Sequence, residues 1–96
     1  MKKFQVTIDF EWEDSFKDLI PEHRKYISEL IEQGVVDHYV VTLETQRIWI
    51  TMNAEDKAAV DEHLSKSPFF NFIKYEIDEL LILDGLTYRL PAVQLN

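Results

Sequence analysis

An α+β sandwich, with two helices covering one face of a four-stranded antiparallel sheet, is the fold class this sequence predicts. Three observations carry that prediction. The chain opens on strict alternation: Phe4, Val6, Ile8, Phe10 and Trp12 share one side, and Gln5, Thr7, Asp9 and Glu11 share the other. A helical stripe comes next and ends at Gly34, after which two β-prone runs are separated only by Glu44-Thr45-Gln46. A second helical pattern and a last β-prone run close the order β-α-β-β-α-β.

Each element has its own local signals. Asp14 and Ser15 can cap an initial turn over Phe16 to Ile20, just after the first strand. Pro21 suits the first turn of a helix whose apolar stripe is Ile20, His23, Ile27, Leu30 and Ile31. Val35 to Leu43 and Arg47 to Met52 are β-prone, although the break between them lacks the Gly or Asn of a tight primed turn. Asn53 is expected to cap the second helix, with Asp56 three residues on, and Ala59, Val60, His63 and Leu64 form its apolar face.

The stretch Ser67-Pro68-Phe69-Phe70-Asn71-Phe72-Ile73 joins that helix to the last strand. Proline has no N–H to donate and cannot continue the helix, so it fixes the joint. Its phenylalanines carry about 150 Å² or more of ring surface each, which must fill a core or an interface. Phe72 to Leu83 is expected as a long final strand, with Leu80 to Leu83 covered on both faces. Asp84-Gly85 marks a turn.

The 96 residues make a single domain, 1–96, with residues 84–96 expected as a C-terminal tail packing on the domain or on a neighbouring subunit. No apolar run approaches the ~20 residues of a membrane span. The opening Met1-Lys2-Lys3 runs straight into a strand pattern, so no secretory leader is expected. There is no cysteine, hence no disulfide and no thiolate metal site, and a cytoplasmic location is expected. A net charge of −8 argues against nucleic-acid backbones and anionic membranes as partners.

This element order is that of a ferredoxin-like domain, in which the sheet face away from the helices is bare. Here it would carry Thr7, Asp9 and Glu11 with Arg47, Trp49 and Thr51, a mixture of charge and indole suited to a partner. A homodimer or higher homo-oligomer with two such sheets face to face is expected.

The helix Tyr26-Ile27-Ser28-Glu29-Leu30-Ile31-Glu32-Gln33-Gly34 and the segment from Leu64 through Pro68-Phe69-Phe70 to Phe72-Ile73 carry a family resemblance. From about Phe4 to Leu80 the chain resembles the muconolactone isomerase-like proteins of the dimeric α+β barrel superfamily. The family typically has a Leu-Pro-Leu-Phe-Pro-Tyr-Met-like segment where Pro68 and its aromatic neighbours stand here. Membership would imply an intramolecular proton shift on a small carboxylate-bearing lactone, in a cleft at the dimer's sheet face. It would also imply no cofactor. On the first two strands, where the enzymes carry basic residues, this chain has Thr7, Asp9, Asp37 and Val41, and only His38 keeps a family-like identity.

Proton transfer needs a group that titrates near neutrality, and binding a carboxylate needs a cation. His38 is one candidate acid/base, or a hydrogen-bonded structural histidine; both alternating sets of 35–43 are apolar, so its sheet face stays open. His23 either points into a cleft or is a satisfied side chain on the helical stripe. Arg47 is a candidate anchor for a substrate carboxylate, or the partner of Glu11 or Glu44 in an ion pair. Trp49 either floors a ligand pocket or fills the dimer interface, and Asp9 and Glu11 are either a carboxylate pair or a solvated strand face. The spacing of the histidines fits no metal site. The functional alternatives are an isomerase or lactone-processing enzyme, a non-catalytic barrel binding a small organic ligand, and a cofactor-free monooxygenase of the same superfamily.

Overall fold

A computed structural model of the chain describes residues 1–85. Four strands, β1 (Lys2–Phe10), β2 (Val36–Thr42), β3 (Arg47–Ala54) and β4 (Ile73–Glu79), form one antiparallel sheet in the order β2-β3-β1-β4. Two helices, α1 (Ile20–Glu32) and α2 (Lys57–Ser65), lie between the strands in sequence. The fold is α+β and is compatible with a ferredoxin-like domain. Short 3₁₀ turns at Asp14–Asp18 and Phe70–Phe72 lead into α1 and β4.

Alternation in β1 decides where the core lies. Phe4, Val6 and Ile8 are buried together with Ile50 and Met52 of β3, Leu30 of α1, and Val60 and Leu64 of α2. Both helices therefore cover the same sheet face. The opposite face carries Thr7, Asp9, Arg47, Trp49 and Thr51, as the register of β1 against β3 requires. No helix is long and apolar enough to cross a membrane among the described residues.

Three local expectations are corrected. The last strand ends at Glu79 rather than Leu83, and Leu81 and Ile82 are 63% and 50% exposed rather than covered. The reason is the length of β1: Glu79 already pairs with Phe4, and the Leu80 N–H reaches the Lys3 carbonyl at 2.8 Å, so little partner strand remains. Trp12 lies beyond the end of β1, where its N–H donates to the Gln46 side chain at 2.6 Å. Asn53 does not cap α2, because it still belongs to β3; its Nδ2 donates to the Gly34 carbonyl and to Asp37. Asp56 is the cap, its carboxylate accepting from the Ala59 N–H at 2.9 Å.

The chain turns where the backbone allows it. Gly34 ends α1 with φ +77°, the left-handed conformation in which glycine has no Cβ to clash. The β2–β3 connection, lacking glycine, puts Gln46 at φ +54° instead. The Gln46 carbonyl accepts from the Phe10 N–H at 3.2 Å, which ties that turn to the end of β1.

β2 contains a register shift between Val36 and His38. Val36 pairs with Met52 on the core face, whereas His38 pairs with Thr51 on the open face. Asp37 is the extra residue of a β-bulge. Its carboxylate takes the Lys3 ammonium and the Asn53 amide, and Lys3 is itself only 6% exposed. Past the bulge, Tyr39 and Val41 turn toward the helices while His38, Val40 and Thr42 turn away.

The candidate ligand cavity and its hydrogen-bond chain

A cavity of about 200 Å³ lies between the helices and the sheet. Its floor is buried and apolar, built from Ile27 and Leu30 of α1, Met52 of β3 and Leu64 of α2. Its rim is apolar but exposed: Trp12, Ile20, Val41 and Leu43 all line it, with Leu43 66% exposed. Phe16 and Phe69 close one wall, their rings packed edge to face with centroids 5.1 Å apart. An engineered cavity of about 150 Å³ takes up benzene, so this one has room for a substituted ring.

A hydrogen-bonded group of three residues stands among the polar side chains of a largely apolar lining, which also includes Arg24, Tyr26 and His63. His23 sits in the second turn of α1, because its place on the apolar stripe aims it at the sheet. Its Nδ1 lies 2.9 Å from the Ser67 hydroxyl, and its Nε2 lies 2.7 Å from the Tyr39 hydroxyl. The ring also packs edge to face on Phe69, with centroids 5.0 Å apart. Ser67 is positioned by the Pro68 joint: its oxygen accepts the Phe69 N–H at 3.1 Å as the chain turns out of α2. Tyr39 reaches the group only because the bulge turned it inward.

Burial, and after it the Arg24 charge, lowers His23 from 6.5 to about 4. Burial pushes Tyr39 up to about 12, with Arg24 acting in the opposite direction. At neutral pH the group is therefore an uncharged relay of serine, imidazole and phenol. Both tautomers fit the same heavy-atom distances. With the proton on Nε2 the Tyr39 oxygen accepts it, leaving the phenol hydrogen to be given to a ligand. With the proton on Nδ1 the phenol donates to Nε2, leaving its oxygen to accept. The site can meet either a carbonyl or a hydroxyl.

The other candidates read from the sequence lie elsewhere. His38, Arg47, Trp49 and Asp9 share the open face of the sheet and do not line this cavity. The Arg47 guanidinium donates to Asp9 at 3.0 Å, so its ion pair is with Asp9 rather than with Glu11 or Glu44. Glu11 lies past the end of β1 and is exposed. Trp49 is half-buried beside Val40, its partner on β2. Of the candidates His38, His23, Arg47, Trp49, Asp9 and Glu11, His23 alone lines the cavity.

Sequence reasoning missed Tyr39, Ser67 and Arg24. Arg24 comes directly after His23 in α1, lines the cavity and is exposed. The aromatic joint at Pro68, read as a packing element, also supplies a hydroxyl to the site. Among the described residues no cluster of His, Asp and Glu has the geometry to hold a metal ion. No protein-family model matches the chain, and no curated protein matches it.

Proposed function

We propose that the protein binds a small, largely apolar organic molecule with one carbonyl or hydroxyl group in the cavity between its helices and its sheet. The observation that supports this is the uncharged Ser67–His23–Tyr39 relay set into a largely apolar lining. Sites of this kind take binding energy from the apolar surface and orientation from a few polar groups. The resemblance to muconolactone isomerase-like proteins supports a second reading, an acid/base isomerase. In that reading His23, with a hydroxyl on each ring nitrogen, moves the proton, rather than His38.

A panel of neutral one- and two-ring ketones and phenols, followed by thermal shift and by NMR of the ligand in D₂O, tests both readings. Binding at 100 times the dissociation constant adds about 2.7 kcal/mol to stability. Tyr39→Phe keeps the cavity but removes the hydroxyl, and should weaken binding about tenfold, in line with roughly 1–1.5 kcal/mol for one hydrogen bond. Loss of the ketone's α-proton signal in wild type but not in His23→Gln identifies the isomerase. Binding without exchange identifies a binder. No melting shift with any compound overturns the reading.

The same proposal gives the open sheet face to a second copy, as in a dimeric α+β barrel. Val40, 51% exposed, lies beside Trp49, and both sit near the Asp9–Arg47 ion pair. Such a mixed apolar and polar face resembles an interface more than a plain solvated sheet. Light scattering at micromolar concentration should give twice the 11.4 kDa chain mass, and Trp49→Glu should return it to the monomer. A wild-type monomer under those conditions removes the dimer from the proposal.

A further inference from the structure

We infer that β2 has a second register, one without the bulge, in which His38 replaces Tyr39 beside His23. The ion pair of Asp37 with Lys3 selects the bulged register, so Lys3 acts on the cavity from the opposite face of the sheet. Both registers belong to the chain itself and do not depend on what the cavity binds.

β2 is an edge strand paired with β3 alone, so a slip breaks a single ladder. Without the bulge, Val36 would stay opposite Met52, and each residue from His38 onward would move one place along β3. Tyr39 would then stand on the open face against Trp49, an aromatic pair across two strands. Val40 would take the place of Val41, and the two are 51% and 46% exposed. A valine exchanged for a valine gives neither register an advantage in burial. The slip also hands Thr42 to the connection now formed by residues 43–46, and a hairpin tolerates a connection of either length.

The bulged register carries local costs. Asp37 loses its place in the ladder, and the connection puts Gln46, which is not glycine, in the left-handed region at φ +54°. Against these costs stand the polar contacts of the bulge. The Asp37 carboxylate takes the Lys3 ammonium and accepts from the Asn53 Nδ2 at 3.1 Å. The same Nδ2 reaches the Gly34 carbonyl at 3.0 Å. Lys3 pairs with Asn53 in the sheet, whereas Thr51 pairs with Gln5. Placed opposite Thr51, Asp37 would lie toward Gln5 and away from Lys3. Lys3 is only 6% exposed, and taking the carboxylate from so buried an ammonium is costly. The contacts at one residue thereby choose between a phenol and a second imidazole beside His23.

Nuclear Overhauser contacts of the His23 ring, read by NMR on the full chain, test the second register. Wild type should show His23 against the Tyr39 ring. Asp37→Val removes the ion pair and favours a regular strand, and it should exchange that contact for one between His23 and His38. Deleting Asp37 removes the bulge and the ion pair together, yet leaves Val36 and Tyr39 on the inner side. The deletion should therefore keep the Tyr39 contact, which separates the choice of register from general damage. If Asp37→Val does not fold, Lys3→Met breaks the same pair from β1 and should give the same exchange. A Tyr39 contact that persists alone in whichever of these two substitutions folds overturns the second register. If neither folds, the pair holds the fold together rather than choosing a register, and the proposal fails. Loss of the Tyr39 contact in the deletion overturns the selecting role of Lys3 and Asp37.

Discussion

Replacing Phe4 with alanine should cost about 3–5 kcal/mol of stability, the largest effect expected of any single side-chain truncation in this chain. Phe4 is only 1% exposed and sits on β1, a central strand of the sheet, where it pairs with Met52 on one side and Glu79 on the other. Its ring is among the largest fully buried side chains, and the surrounding strands are fixed by two ladders, so the hole cannot collapse. A domain of this size loses about 4–8 °C of melting temperature per kcal/mol, so thermal unfolding should move down by about 12 °C or more. Typical domain stability is about 5–15 kcal/mol, and a marginal protein would not survive the change. Phe70 makes the contrast: it is only partly buried, against Tyr75, and its truncation should cost less than that of Phe4. Equal losses for the two would show that the core is not centred on β1.

Acid should destabilise the protein through His23, and the effect has a defined window. Its folded value lies near 4, below the 6.5 of an ordinary histidine. Above pH 6.5 the imidazole is neutral in both states, and it contributes no pH dependence. As the pH falls from 6.5 toward 4, the unfolded chain takes up a proton that the folded chain refuses. Stability is therefore lost across that interval and levels off below it. Since water still reaches part of the ring, the loss is on the order of 2 kcal/mol. Urea melts across this range should show a slope that disappears in His23→Gln, which keeps hydrogen-bonding atoms but does not titrate there. An unchanged slope in that variant would mean that carboxylates, not His23, govern the acid response. Ligand binding to the folded protein that depends on a neutral relay should weaken only as the pH falls through about 4, where the folded histidine takes up its proton.

Much of the fold was legible because one-dimensional periodicity is a direct record of one-sided burial. The alternation of Phe4, Val6 and Ile8 and the stripe of Ile27 and Leu30 both appear in the core. Strand ends were less legible, since they depend on the partner's length: Ile82 is as β-prone as Ile77, but β1 offers it no ladder. The expected tail beyond residue 85 lies outside the described residues. The cavity was hard to see in the sequence for a different reason. The open face shows its charges and its Trp49 plainly, whereas a cavity lined by Ile, Leu and Phe looks like ordinary core.

What the sequence by itself determined is the order of the elements, the two-layer arrangement and the presence of His23 on an inward stripe. What only the tertiary structure decided is the face on which each residue of β2 falls. Both alternating sets of that strand are apolar enough to be buried, so hydrophobicity does not choose between them. A single extra residue does. Asp37 is held out of register by Lys3 from β1 and Asn53 from β3, contacts between residues 34 and 16 positions apart. A one-residue slip reverses every later side chain. His38 is thereby sent to the open face, and Tyr39 is brought to within 2.7 Å of His23.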